Sequence, residues 1–162
     1  MTVLKWVLMV LAAAVLLAVV AGQLGLLRGQ APTDLGVRQG KLKAPSITPN
    51  SVSSQADLWP EHPQLVYARM APLVIAGAPE VAMARLKAAV QASAGAAVVK
   101  ADGDYLYAQF TTPWMHYTDD VEFWFDRAAS VVQVRSASRL GKGDLGANRK
   151  RIEALRAGLA SP

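Results

Sequence analysis

Residues Trp6 to Leu27 read WVLMVLAAAVLLAVVAGQLGLL, and Gln23 is the only strongly polar side chain among them. A helix rises about 1.5 Å per residue, so roughly 22 residues reach about 33 Å, enough to cross the hydrocarbon core of a bilayer. Two readings compete for this run. A cleaved secretory signal needs a short apolar region and a small-residue site, which Val19-Val20-Ala21 supplies. An uncleaved anchor uses the whole run, and the apolar stretch continues past Ala21 through Leu24, Leu26 and Leu27. The anchor is therefore preferred. The expected division is a membrane segment over 1–28, a linker over 29–43 and one small domain over 44–160.

Charge beside the run bears on orientation. Lys5 lies on one side, while Arg28, Arg38, Lys41 and Lys43 lie on the other, partly offset by Asp34. Counting basic residues places the C-terminal domain in the cytoplasm.

The residues after the run are enough for one domain with one core. The chain has no cysteine, which excludes disulfides, thiol catalysis and thiolate metal sites. His62 and His116 stand far apart, outside any metal-ligand spacing. A net charge of +5 suits anionic surfaces. No RNA-type aromatic motif and no lysine-rich tail accompany it, so nucleic acid is not an expected partner.

Residues 29–64 are rich in Pro, Gly, Ser and Gln and read as extended and irregular. Within them Pro45-Ser46-Ile47-Thr48-Pro49-Asn50-Ser51-Val52-Ser53-Ser54 is dense in hydroxyls and reads as a turn-rich loop. Pro79 opens a helix with Glu80 at its positive end; Val81, Leu86 and Val90 supply an apolar face, Arg85 and Lys87 face solvent, and Gly95 ends it. Asp102-Gly103 predicts a hairpin pairing Val99 with Leu106 and Lys100 with Tyr105. Pro113 breaks the second strand.

A second hairpin joins Val121–Phe125 to Val131–Ser138. A loop from Arg127 to Ser130 sets Phe125 opposite Val132 and Phe123 opposite Val134 on one face, with Glu122 opposite Arg135 and Trp124 opposite Gln133 on the other. A one-residue slip mixes the faces, so this register is preferred. It brings Asp120 and Arg139 to diagonal positions, so that one face carries Asp120, Glu122, Trp124, Gln133, Arg135 and Arg139. The tail reads as a helix with Ile152, Leu155 and Leu159 on one stripe and Arg149, Lys150 and Arg151 spread around it. The expected fold is α+β: a four-stranded antiparallel sheet with two packed helices, preceded by one N-terminal transmembrane helix.

Asp119-Asp120-Val121-Glu122-Phe123, then Val134-Arg135-Ser136-Ala137-Ser138-Arg139-Leu140-Gly141, Asp144-Leu145-Gly146 and Asn148-Arg149-Lys150-Arg151-Ile152-Glu153, resemble a family catalogued as domain of unknown function 1499. The loop Thr48 to Gln55 resembles its other signature, and the likeness covers most of residues 35–157. The family usually carries a cysteine on each side of the Pro-Asn step, where this chain has Ala44 and Ser51. The resemblance brings no substrate, cofactor or catalytic residue. Its members, from bacteria and plastids, commonly have export signals or membrane segments. It therefore implies a single-pass inner-membrane protein with a periplasmic domain, against the charge count. A cytoplasmic domain, or secretion after cleavage, are the alternatives.

Three roles suit the polar residues. Arg–carboxylate forks can form a structural network that ties the glycine-rich loop to the last helix, with Asp144 near that helix's N-terminus. Arg135, Arg139 and Arg149, beside Ser136, Ser138, Asp144 and Asn148, can instead hold an anionic small molecule or membrane lipid, with Asp120, Glu122, Asn50 and Ser53 alongside. Asp119, Asp120 and Glu122 can serve a small hydrolase-like or metal-dependent enzyme, although Asp119 points the other way along the strand. The chain has no nucleophile elbow, phosphate loop or histidine pair. Non-enzymatic binding at the membrane surface is the expected role, with no cofactor and no metal.

Overall fold

The computed structural model describes residues 2–160. Its first element, α1 (Val3–Gln23), is long and apolar enough to cross a membrane or to act as a signal sequence. Residues 3–17 touch nothing that buries them. The last turn of α1 docks on the domain. At Gly22 an added Cβ would lie 2.7 Å from the backbone of Met115, and the Gln23 amide donates to the carbonyls of Pro113 (3.2 Å) and Trp114 (3.0 Å).

The domain is α+β, with five antiparallel strands rather than the four expected: β1 (Ser51–Ser53), β2 (Ala96–Asp102), β3 (Tyr105–Thr111), β4 (Thr118–Asp126) and β5 (Val131–Ser138), in the order β1-β5-β4-β3-β2. The extra strand, β1, lies in the hydroxyl-rich stretch read as a turn. Three residues carry no visible alternation, and only Val52 turns toward the core. A 3₁₀ turn (Ala56–Leu58) and the one-turn helix α2 (Leu65–Ala68) follow it. The two longer helices, α3 (Pro79–Ala92) and α4 (Ala147–Ala160), are those expected.

The β4–β5 register is the expected one, including Glu122 opposite Arg135 and Phe123 opposite Val134. The β2–β3 hairpin differs. Its loop is Gly103-Asp104, so Asp102 pairs with Tyr105, Ala101 with Leu106 and Lys100 with Tyr107. Gly103 takes φ +54° at the first loop position, which a glycine adopts at little cost. The two-residue offset leaves the faces unchanged. A bulge between Val98 and Lys100 then absorbs Val99, which is exposed on this edge strand.

One sheet face packs on α3 and α4. Phe123, Leu106, Val121, Val132, Val134 and Val52 meet Leu86, Val90, Ile152 and Leu155. The α4 stripe is as expected. On α3, Ala82 and Met83 are buried while Val81 is exposed, because the helix turns its Ala82–Leu86–Val90 line inward. Arg85 is half-buried rather than solvent-facing; it donates to the carbonyl of Leu159 (3.1 Å), a group at the end of α4 left without a helical partner.

The opposite sheet face is covered by residues 34–44, a strap that includes most of the stretch expected as a linker. Gln39 and Gly40 have positive φ and form a tight turn closed by the Arg38–Lys41 bridge. Leu42 is 1% exposed, its N–H donates to Gln55 (2.8 Å), and the Gln55 amide donates to Gly40 O (2.9 Å).

Two glycines test this packing with opposite signs. Gly95 has φ +72°, and a Cβ there would meet Thr111 O at 2.3 Å. Gly95→Ala should cost at least about 2 kcal/mol. Gly158 lies in α4 with nothing near its Cβ position, so Gly158→Ala should gain up to about 1 kcal/mol. Urea unfolding of the full chain in detergent reads both; equal shifts would contradict the packing described.

Candidate functional site

Strand alternation splits the polar residues into two clusters on opposite sides of the sheet. On the strap side, directly opposed positions form two rows across four strands: Gln109–Asp120–Ala137–Ser51 and Tyr107–Glu122–Arg135–Ser53. On the helix side lie Asp119, Ser136 and Ser138.

The strap-side cluster is buried. Arg139 forks Asp120, with Nε to Oδ2 at 2.8 Å and a terminal nitrogen to Oδ1 at 2.7 Å. Tyr107 donates to the same carboxylate (2.5 Å) and accepts from Gln109 (2.9 Å). Glu122 Oε1 accepts from Tyr105 (2.8 Å) and from the strap N–H of Gly36 (2.7 Å). Its Oε2 lies 3.8 Å from Arg135 Nη1 and has no hydrogen-bond partner among the described residues. Arg135 Nε donates to the strap carbonyl of Ala44 (3.1 Å). Burial pushes the Glu122 pKa up against Gly36, Tyr105 and Arg135, which favour the charged form. Burial also pulls the Arg135 guanidinium down, opposed by Glu122, Asp120 and Asp34. The Tyr105 phenol is raised by burial and by the Glu122 charge. Ser53, on β1, accepts from the N–H of Gln55 (3.1 Å) and is fully buried.

The helix-side cluster centres on Asn148 in the first turn of α4. Its amide donates to Asn50 O (3.0 Å), Ser138 Oγ (3.0 Å) and Asp144 Oδ2 (2.7 Å), and its Oδ1 accepts from Ser136 Oγ (2.5 Å) and Arg151 (2.9 Å). Arg151 reaches on to Asp119 (2.6 Å) and stacks on Phe110, 4.7 Å from its centroid. Asp144 accepts from the N–H groups of Gly146 (2.9 Å) and Asn148 (3.0 Å), which caps α4, and from Tyr67 OH. Burial works to raise its pKa, but these donors together hold it below the usual carboxylate range. Asn50 donates to Gly141 O (2.8 Å), and Ser51 Oγ accepts from Ser46 N–H (2.7 Å), so hydrogen bonds fasten the loop that has no cysteine. Arg149 is used separately, on the carbonyls of Tyr67 (2.6 Å) and Arg69 (3.0 Å).

Arg135, Arg139 and Asn148 are each engaged with neighbouring groups of the fold. Asp120 and Glu122 share a face, whereas Asp119 pairs with Arg151 across the sheet, so the three carboxylates do not converge. Sequence reasoning missed Tyr105 and Tyr107, although alternation along β3 places both on the Glu122 face. It also missed Tyr67, a lone phenol from a distant helix with no local signal.

It missed the pocket as well. A pocket of about 520 Å³ opens where the chain leaves α1, with Leu27, Tyr117, Leu140 and Leu145 on its walls and Asp119, Ser138 and Asp144 from the helix-side cluster beside them. The lining is mostly apolar, and the Asp119, Ser138 and Asp144 side chains are held by internal bonds.

A family model described as "Protein of unknown function (DUF1499)" matches residues 41–159. Neither the curated proteins nor the solved structures contain a match.

The Asp144 cap has a pH signature. A carboxyl held below its ordinary pKa stabilises the fold above about pH 4 and loses that contribution as pH falls through the folded-state value. Asp144→Asn should therefore lower the melting temperature at pH 7, and the gap to wild type should narrow below about pH 4. A gap that is constant from pH 7 to pH 3 would contradict the cap.

Proposed function

The chain belongs to the DUF1499 family, and from its geometry we propose a membrane-tethered, non-enzymatic domain that binds the apolar part of a membrane lipid in the pocket beside the exit of α1. The position of that pocket carries the reading: an apolar opening stands where a lipid-embedded helix would deliver the domain to the bilayer. Tethering also keeps lipid at high effective concentration, so a modest intrinsic affinity suffices. An anionic ligand on Arg135, Arg139 and Arg149 has less support, because these groups are occupied by Glu122, Asp120 and backbone carbonyls. The divided carboxylates also give little support to an acidic-triad enzyme.

Native mass spectrometry of the detergent-extracted full chain tests this. Wild type should carry a lipid-sized adduct, and Leu140→Glu, which charges a half-exposed pocket wall, should lose most of it. An adduct equally abundant in both variants refutes the pocket as the site.

We further propose a periplasmic position at the inner membrane, which the export signals implied by the family resemblance support and the basic residues after α1 oppose. The cysteine-free chain makes this simple to check. Val66 is well exposed, so Val66→Cys should react with a membrane-impermeant maleimide in intact cells. Labelling only after lysis would put the domain in the cytoplasm.

A further inference from the structure

The end of the domain nearest α1 gathers several exposed apolar side chains. Three segments meet there: residues 24–28 leaving the helix, the loop 112–117, and the glycine-rich loop 139–146. Gly22 against Met115 and the Gln23 amide on Pro113 and Trp114 hold the second of these beside the last helical turn. A helix that crosses a bilayer over Val3–Gln23 therefore brings Trp114 and Met115 to the membrane–water boundary. Several large apolar side chains are exposed here: Trp114 is 71% exposed and Leu145 96%, with Leu24, Leu26, Tyr117 and Leu140 from the same segments. Trp and Tyr are the residues that favour this boundary, with an apolar ring and a polar edge.

Backbone conformation adds an independent observation. Leu145 has φ +51°, as does His116 in the facing loop. A left-handed conformation costs a leucine about 1 kcal/mol or more, yet Leu145 stands between Asp144 and Gly146 in a tight turn that leaves its side chain outside. Such a strained, fully exposed leucine makes sense where another phase receives it.

The charges agree. Arg28 and Lys142 are exposed at this end and form no ion pair among the described residues. The nearby acids, Asp119 and Asp144, are bound internally to Arg151 and to the α4 N-terminus. An apolar rim with uncompensated positive charge is complementary to a bilayer surface that contains anionic lipid.

We propose that this rim, led by Trp114 and Leu145, inserts into the bilayer that holds α1, so that the domain rests on the membrane instead of hanging from a free tether. The proposal rests on α1 as an anchor but not on a lipid occupying the pocket.

The test uses the full chain carrying Trp6→Phe, which removes the indole inside α1, in vesicles of phosphatidylcholine brominated on its acyl chains mixed with phosphatidylglycerol. Emission should be quenched relative to unbrominated vesicles, and that quenching should vanish when Trp114→Phe is added, because Trp59 and Trp124 lie on the domain away from this end. Leu145→Asp, at a position too exposed to disturb the core, should reduce the Trp114 quenching at least twofold. Equal quenching with and without Trp114 overturns the proposal, as does an unquenched Trp114 in a chain that self-associates through this face. Quenching that persists while native mass spectrometry shows no pocket lipid leaves the docking intact and removes the binding reading.

Discussion

The side chain of Asn148 is the joint on which this fold turns. One buried amide holds the loop before β1 through Asn50 O, strand β5 through Ser136 and Ser138, the cap of its own helix through Asp144, and Arg151 beside it. A buried amide left unpaired costs about 1–3 kcal/mol per group, so these partners are mutually obligatory. Moving α4 along the sheet by one turn would break the bonds to Asn50, Ser136 and Ser138. The apolar stripe of Ile152, Leu155 and Leu159 would tolerate such a slide far better, since hydrophobic contact has no direction. The core thus supplies the attraction, and Asn148 fixes the register between helix and sheet.

The strap side answers the same problem with charge. Burying Glu122 and Arg135 requires removing both from water, and a separation of 3.8 Å gives less return than a direct hydrogen bond. Their contribution lies in selectivity. Glu122 meets Arg135 only in the native β4–β5 register, and Gly36 and Ala44 reach them only if the strap lies in its native path. Asp120 with Arg139 and Tyr107 repeats the arrangement one row along. Both sheet faces are therefore covered, one by helices and one by the strap.

The sequence made some of this legible and hid the rest for physical reasons. The β4–β5 register could be read because Phe123, Phe125, Val132 and Val134 alternate cleanly with polar residues, so any slip is penalised on both faces. The β2–β3 register could not, because the two-residue turn closes over Gly103-Asp104 instead of Asp102-Gly103, and the bulge at Val99 then shifts the pairing again. Strand β1 was hidden because Ser51 and Ser53 face a covered polar side, where serine carries no signal of burial. The strap was hidden because its ties are backbone groups of Gly36, Gly40, Leu42 and Ala44, which every residue possesses. The candidate residues divide into two clusters, which proximity in sequence concealed, because Ser136 and Arg135 point to opposite sides of one strand. The pocket was least visible, since its walls come from three separate segments.

That distribution of order bears on the proposed docking against a membrane. A helix joined to a domain by a free linker would let the domain rotate and leave any orientation equally populated. Here the linker is consumed as the strap, and the last turn of α1 touches the domain at Gly22, where no larger residue fits without displacing the Met115 backbone. The tilt of the helix and the attitude of the domain are then one variable. In the docking proposed above, fixing it holds the same end of the sheet, with Leu140, Leu145 and Trp114, toward the bilayer. The interior bonds of Asn148 and Asp144 matter to that end too, because they set the loop 139–146 that carries two of those residues.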